Sequence, residues 1–278
     1  MKVFKEKLAL SAYLSGKLNV GFIPTMGALH KGHISLIEMS VKQCGTTVCS
    51  IFVNPAQFND KNDLLNYPRT TENDLKMLEE AGCDVVFLPE VEEIYPPEKP
   101  LQQYDFGAIE KVMEGEHRPG HFNGMANVVQ RLFDIVKPHV AFFGEKDYQQ
   151  LCVVKELVNI LKLPIVIVPG KIIREPDGLA MSSRNMLLTE AERKQASGIY
   201  ETLLLVKSKN DSLSPEQLLL FAHQNFKNYP LITPEYIQFA FADTLELLSE
   251  NKFSNRVMMF IAVKLGKVRL IDNMLIYE

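Results

Sequence analysis

The sequence predicts an α/β protein: a Rossmann-like domain on a parallel sheet over residues 1–174, then a smaller α+β domain over residues 175–278. Three observations carry this. Apolar runs of strand length alternate with helix-patterned segments through the first two thirds, the mark of βαβ units. Several of these runs end in clusters rich in glycine, proline and polar residues, at 24–27, 54–57 and 144–147. After about Arg174 the pattern changes to capped helices followed by alternating segments, which suits helices laid on an antiparallel sheet.

The elements follow in order. Residues 3–14 read as an amphipathic helix, 18–23 as a strand and 35–43 as a helix. Residues 47–53 form a β-rich run ending at Asn54-Pro55, and 71–81 a helix with Gly82 as its stop. Residues 84–89 are a short buried strand, and a loop with Pro89, Pro96, Pro97 and Pro100 crosses the surface. Residues 124–136 are a helix stopped before Pro138, 139–143 a strand, 148–161 a helix and 164–168 a strand. Right-handed crossovers would place ligands beyond the carboxyl ends of these strands. Thr189-Glu190-Ala191-Glu192 is a capping box opening a helix to about Val206. Ser214-Pro215-Glu216-Gln217 opens another, with proline at the first helical position. Segments 236–243, 256–265 and 267–271 alternate, and Lys264-Leu265-Gly266-Lys267 reads as a hairpin connection.

Composition narrows the function. The 278 residues are 46% hydrophobic and 23% charged, as expected for a well-buried globular chain. A formal charge of −4 with no long basic block argues against a nucleic-acid partner. The apolar run 8–14 is too weak for a signal-peptide core, and nothing reaches membrane-spanning length, so no membrane partner is expected. Cys44, Cys49, Cys83 and Cys152 are scattered without a C-x-x-C, which suggests neither a zinc site nor a disulfide framework. A reduced, cytoplasmic setting fits best.

Four clusters can carry chemistry. The richest is Pro24-Thr25-Met26-Gly27-Ala28-Leu29-His30-Lys31-Gly32-His33, a turn between an apolar strand and a helix. Backbone N–H groups at a helix N-terminus face anions, and Gly27 and Gly32 let a ligand approach the backbone. A helix starting near His30 puts the rings of His30 and His33 on one face, where imidazoles can donate to phosphate oxygens. The second cluster is Phe143-Gly144-Glu145-Lys146-Asp147-Tyr148-Gln149-Gln150. Lys146 can reach a phosphate, Asp147 can accept from ribose hydroxyls, and Gly144 leaves room for the sugar or base. Gln150, one helical turn on, can point to the same pocket.

In the third cluster, Gly178-Leu179-Ala180-Met181-Ser182-Ser183-Arg184-Asn185, two hydroxyls and a guanidinium either form a compact phosphate grip or cap a helix beside a surface arginine. In the fourth, Phe52-Val53-Asn54-Pro55-Ala56-Gln57-Phe58, the amide of Gln57 suits a hydroxy-carboxylate. Beyond it, Glu72, Asn73 and Asp74 either offer oxygens to magnesium or serve as first-turn residues favourable to a helix N-terminus. The loop from His117 to Phe122, with Arg118 and His121, either contacts substrate or is surface, and His139 and His223 read as structural.

Taken in this order, the four blocks resemble the pantoate–β-alanine ligase family, a branch of the HxGH nucleotidyltransferases. The 24–33 block looks like that family's HxGH signature, the 143–150 block like its nucleotide and pantoate motif, and Met181-Ser182-Ser183-Arg184 like its counterpart of the KMSKS loop. The resemblance implies a ligase of pantothenate and coenzyme A biosynthesis. Pantoate carboxylate attacks the α-phosphorus of ATP to give pantoyl adenylate and pyrophosphate, and the amine of β-alanine then displaces AMP. It implies His33, His30, Lys146 and Arg184 as catalytic residues, with His33 the favoured proton donor and Ser182 and Ser183 also on the phosphates. Nucleotide contacts would come from Met26, Gly27, Ala28, Leu29, Lys31 and Gly32 through the backbone of the turn. Gly144 and Asp147 would take the ribose and Ile173 the adenine wall, with Glu145 and Met181 as further ATP contacts. Gln57 and Gln150 would clamp pantoate. Some relatives hold magnesium on adjacent aspartates with a nearby glutamine. Here the run is Glu72-Asn73-Asp74 with Met77 one turn on, so Mg2+ is expected on ATP phosphates and water, with Asp74 the one candidate side chain. A homodimer is also implied. Other HxGH transferases, class I aminoacyl-tRNA synthetases and a silent nucleotide binder share parts of the pattern. The first does not explain Gln57 and Gln150, and the acidic charge disfavours the second.

Overall fold

The computed structural model describes residues 1–249 and 252–278. They pack as two compact units: Met1–Phe106 with Arg118–Glu145 and Gln150–Lys171, and Gly107–His117 with Lys146–Gln149 and Ile172–Glu278. Sequence pattern drew a single boundary after residue 174. Packing changes unit between Lys171 and Ile172 and assigns two short earlier segments to the second unit.

The first unit holds a parallel sheet of six strands in the order β1-β4-β3-β2-β5-β6. Its strands are β1 (Lys2–Phe4), β2 (Val20–Thr25), β3 (Thr46–Ile51), β4 (Val85–Phe87), β5 (Val140–Gly144) and β6 (Val166–Gly170). The helices through this region of the chain are α1 (Lys7–Leu14), α2 (Lys31–Gln43), α3 (Lys61–Leu65), α4 (Thr71–Glu80), α5 (Val91–Ile94), α6 (Glu114–His117), α7 (His121–Val136) and α8 (Tyr148–Ile160). Of these, α6 lies in the second unit, as does the start of α8.

β3 and β4 are buried throughout, and β2 nearly so, as parallel strands covered on both faces must be. From β2 the chain steps one way to β3 and β4 and later the other way to β5 and β6. Strand order therefore reverses between β2 and β5, the place where such sheets bind ligands. β2 pairs with β5 only at Gly21 and Phe22, so that ladder has ended before Pro24, which has no N–H to give. A Cβ on Gly21 would meet Ser40 Oγ of α2 at 2.2 Å, so this glycine lets α2 lie directly on β2. Ile23, Ile37, Cys49, Leu78, Val86 and Phe142 fill the layer between the sheet and α2 and α4.

The second unit closes with a three-stranded antiparallel sheet of β7 (Ile232–Phe241), β8 (Val257–Leu265) and β9 (Val268–Tyr277). Its helices are α9 (Glu190–Gln195), α10 (Gly198–Lys207) and α11 (Pro215–Phe226). Leu203, Val206, Leu218, Ala222 and Phe226 pack on Phe239, Met259 and Ile261. The expected capping box at Thr189 is formed, α11 opens at Ser214 with proline at its first position and a capping box of its own, and Leu265 pairs with Val268 across Gly266-Lys267.

Three expectations are corrected. Residues 3–14 are not one helix: residues 2–4 join the sheet beside β4, in register from Lys2↔Val85 to Phe4↔Phe87, and the helix starts only at Lys7. Edge pairing with β4 outweighs the weak helical pattern of Val3 and Phe4, which are β-formers. The helix expected to run to Val206 is broken between Gln195 and Gly198, where a Cβ on Gly198 would meet the Tyr229 ring at 2.6 Å. The last strand extends to Tyr277, well past residue 271, because β8 offers a partner along its whole length.

Candidate active site

The turn after β2 is built to hold two imidazoles. Thr25 Oγ1 donates to the Ser50 carbonyl at 2.7 Å and accepts from the Gly27 N–H at 3.3 Å. Gly27 and Ala28 are both left-handed, with φ of 81° and 49°, which swings the chain off the strand. His30 is the N-cap of α2, and His33 is its third residue. His30 Nδ1 accepts from the Gly32 N–H at 3.2 Å, and His33 Nδ1 accepts from the His30 N–H at 3.4 Å. A capping box usually uses hydroxyls and carboxylates, and here two histidines form it. Backbone N–H groups only donate, so both Nδ1 atoms are acceptors and each neutral ring carries its proton on Nε2. The ring centroids lie 4.1 Å apart. The pair thus offers two Nε2–H donors at a helix N-terminus, at the carboxyl end of a central strand, which suits an anion.

Gln57 sits beside this turn. It follows β3 in a short helical turn, Pro55–Gln57, and is 8% exposed. Its Nε2 lies 3.2 Å from Met26 Sδ, and its Oε1 accepts from Asn54 Nδ2 at 2.9 Å. Asn54 is itself pinned, accepting from Tyr95 O–H at 2.7 Å and donating to the Gly124 carbonyl at 3.2 Å. A Cβ on Gly124 would meet the Ala56 carbonyl oxygen at 2.1 Å, so this glycine lets α7 abut the Gln57 turn. The loop with two histidines resolves differently from a surface loop. His121 is buried, with Nδ1 2.9 Å from the Gln57 carbonyl and Nε2 3.1 Å from Arg118 Nη1. A carbonyl only accepts and a guanidinium only donates, so the ring holds its proton on Nδ1. Asn54 and His121 position Gln57; sequence reasoning assigned Asn54 no role and left His121 between substrate contact and surface. The asparagine directly before the helical turn, at its N-cap, and the His-x-x-Gly opening of α7 were the signals available. His139 is structural as expected, accepting from the Val20 N–H at 3.0 Å.

Gly144 ends β5 and Glu145 follows it, both in the first unit, where Gln150 also lies, half-buried on α8.

In the second unit, Lys146 Nζ lies 3.7 Å from Asp147 Oδ1, and the Lys146 carbonyl accepts from Asn273 Nδ2 at 2.8 Å. The neighbouring Gln149 is buried and tied to the 107–117 segment: it donates to the Ile109 and Val112 carbonyls and accepts from the Glu114 N–H. Arg269 chelates the Glu114 carboxylate through both terminal nitrogens, at 2.7 and 2.8 Å. These bonds explain why residues 107–117 belong to this unit. Ile173 and Met181 face each other across a small hairpin, with Met181 N–H donating to the Ile173 carbonyl at 3.0 Å. Gly178, at φ 90°, turns it. Arg174 staples it by a bidentate pair to buried Asp272, at 2.6 and 3.0 Å, and stacks over Tyr200. Ser182 caps the following turn by accepting from the Arg184 N–H at 3.3 Å, and Ser183 is buried within that turn. Met181, Ser182, Ser183 and Arg184 are thus consecutive on one stapled loop.

A family model described as pantoate-beta-alanine ligase matches residues 2–275. The chain belongs to that family. The pantothenate synthetase of Azobacteroides pseudotrichonymphae is 48% identical over 92% of this chain and 91% of its own length. That of Porphyromonas gingivalis is 44% identical, over 98% of each chain. A crystal structure of pantothenate synthetase from Thermus thermophilus superposes with a TM-score of 0.95 at 38% identity, over the full length of both chains. The pantoate-beta-alanine ligase of Francisella tularensis, solved with β-γ ATP and β-alanine, gives 0.83 at 36% identity over 99% and 97% of the two chains.

Membership in the pantoate–β-alanine ligase family raises magnesium, and Asp74 does not fit as a protein ligand for it. Its carboxylate is 1% exposed and accepts from the Ala28 N–H, the Leu29 N–H and the Thr70 hydroxyl, each at 2.9 Å. The next side chain, Asn73, turns to Met77 Sδ at 3.4 Å. Among the described residues no group of three or more His, Cys, Asp or Glu is placed to hold a metal ion. The same bonds occupy the N–H groups of Ala28 and Leu29, so any nucleotide contact from these two residues uses other atoms.

Proposed function

We propose that this chain joins pantoate to β-alanine at the expense of ATP, through a pantoyl adenylate, and that His30 and His33 act on the α-phosphate. The observation that carries this is the pair of Nε2–H donors, 4.1 Å apart by ring centroid, held by a histidine capping box where strand order reverses. A pantoate carboxylate oxygen attacks the α-phosphorus, and the bond to the pyrophosphate oxygen breaks. The two imidazoles would bind the negative charge gathering on the phosphoryl oxygens through their Nε2–H groups, with His33 the favoured hydrogen-bond donor. The amine of β-alanine then attacks the acyl carbon, loses a proton, and AMP leaves.

Gln57 and Gln150 would hold pantoate, Gln57 with an amide already oriented by Asn54 and Met26. Lys146, Ser182, Ser183 and Arg184 would bind phosphates, Gly144 and Asp147 the ribose, and Ile173 the adenine, with Glu145 and Met181 as further ATP contacts. Magnesium would arrive on the nucleotide phosphates. The enzyme would work as a homodimer in the cytoplasm. Four cysteines scattered without a C-x-x-C suit a reducing compartment.

Exchange of labelled pyrophosphate into ATP tests the first half-reaction. Exchange that requires pantoate, with β-alanine absent, supports the adenylate, and AMP plus pantothenate on adding β-alanine completes the reaction. Absence of exchange in folded protein that binds ATP would reject it.

A further inference from the structure

We propose that Asp74 is a positioning residue for the His30–His33 pair, acting as the anion on which the β2–α2 turn is folded. The inference rests on the reading of that turn as the element that meets the α-phosphate.

The turn has an electrostatic problem that Asp74 solves. Gly27 and Ala28 are left-handed in succession, a conformation that disfavours a residue carrying a Cβ. The reversal carries the N–H groups of Ala28 and Leu29 past the end of β2 and ahead of α2, in residues that are 3% and 7% exposed. Unpaired, they would be costly. One carboxylate takes both: Ala28 N–H donates to Oδ2 and Leu29 N–H to Oδ1, each at 2.9 Å. Thr70 O–H holds Oδ1 from the other side at 2.9 Å. Asp74 lies in the first turn of α4, where the helix end favours a negative charge. Leu29 directly precedes His30, whose backbone N–H caps His33 Nδ1. A displaced Leu29 therefore moves both rings. Only a carboxylate serves here, because an amide offers one acceptor and would turn an NH2 group toward a backbone donor. This assigns Asp74 a task other than cation binding, in line with three of its lone pairs already being used.

The test compares Asp74→Asn and Thr70→Ala with the wild type in the full-length chain. Asp74→Asn is expected to lower kcat for pantoate-dependent pyrophosphate exchange about 100-fold, the scale of an ångström-level misplacement. KM for ATP and pantoate should stay within about 3-fold, because ground-state binding is not what Asp74 supports. Thr70→Ala, which removes one of the three bonds, should lower kcat about 5-fold. Half-maximal Mg2+ should not move. In ligand-free protein, the Ala28 and Leu29 amide resonances of Asp74→Asn should shift upfield and lose protection from hydrogen exchange. This readout is independent of activity, so it stands even if the wild type shows no pantoate-dependent exchange and the functional reading fails. Unchanged kcat overturns the proposal. So does a tenfold rise in half-maximal Mg2+ with the rate restored at saturation, which would make Asp74 a metal ligand. If Asp74→Asn does not fold, Thr70→Ala decides: unaltered amides and kcat overturn the proposal.

Discussion

His30 and His33 each cap the helix they begin: the His33 ring accepts the His30 amide proton, and the His30 ring accepts that of Gly32. The same bonds that start α2 fix which nitrogen of each ring carries a proton. Helix initiation and donor orientation are one arrangement here, so substitutions at either histidine act on both.

His33→Ala is expected to slow pantoate-dependent pyrophosphate exchange by about 100-fold or more while ATP affinity changes little. It removes a donor and also uncaps the His30 N–H. Single-turnover exchange beside an ATP titration measures the split, and unchanged turnover would remove His33 from the mechanism.

Gln57→Ala is expected to weaken pantoate by about 1–3 kcal/mol, because buried polar groups of the substrate lose their partner. ATP binding should hold. Asn54→Ala should act in the same direction and less strongly, since Asn54 orients Gln57 without reaching past it. Calorimetric titration of each ligand separates the effects; equal loss for ATP and pantoate would contradict the assignment.

Arg174→Ala should destabilise the second unit by about 3–5 kcal/mol. It strands the Asp272 carboxylate, only 2% exposed, and removes the staple of the hairpin carrying Ile173 and Met181. Urea unfolding measures the loss. A change below about 1 kcal/mol would mean that Asp272 finds another partner or a proton.

Burial pushes the Cys83 thiol up to about 12, and burial also raises Cys49 well above its ordinary value of 9.0. The folded state holds these protons more tightly than the unfolded chain. The contribution of Cys83 is therefore full below about pH 9 and is lost as pH rises toward 12, and that of Cys49 is lost in the same direction. The expected slope is about 1.4 kcal/mol per pH unit per thiol within that window. Cys83→Ala should show a shallower alkaline decline in the urea midpoint. At neutral pH, a thiol reagent should reach Cys83 and Cys49 only after unfolding.

The order of strands and helices was legible because each apolar run carries its own period and its own stop. β2, β3, β5 and α8 lie within a few residues of where alternation and glycine or proline punctuation place them. The failures are equally local. Val3 and Phe4 became a strand because β4 needed an edge partner, and α9 parted from α10 where Tyr229 crowds Gly198. Neither fact is written in the segment concerned.

The clusters at 24–33, 54–57, 143–150 and 181–184 were readable from residue type and spacing, since glycine, histidine, lysine and hydroxyl side chains announce chemistry wherever they sit. Their supports were not. Asp74 lies 46 residues from Ala28, and His121 lies 64 from Gln57. A buried carboxylate and a solvent-exposed first-turn acid look the same in sequence. Only the tertiary structure separates them, because what distinguishes them is which backbone N–H groups the fold brings against that carboxylate, and pairing across such distances is a property of packing.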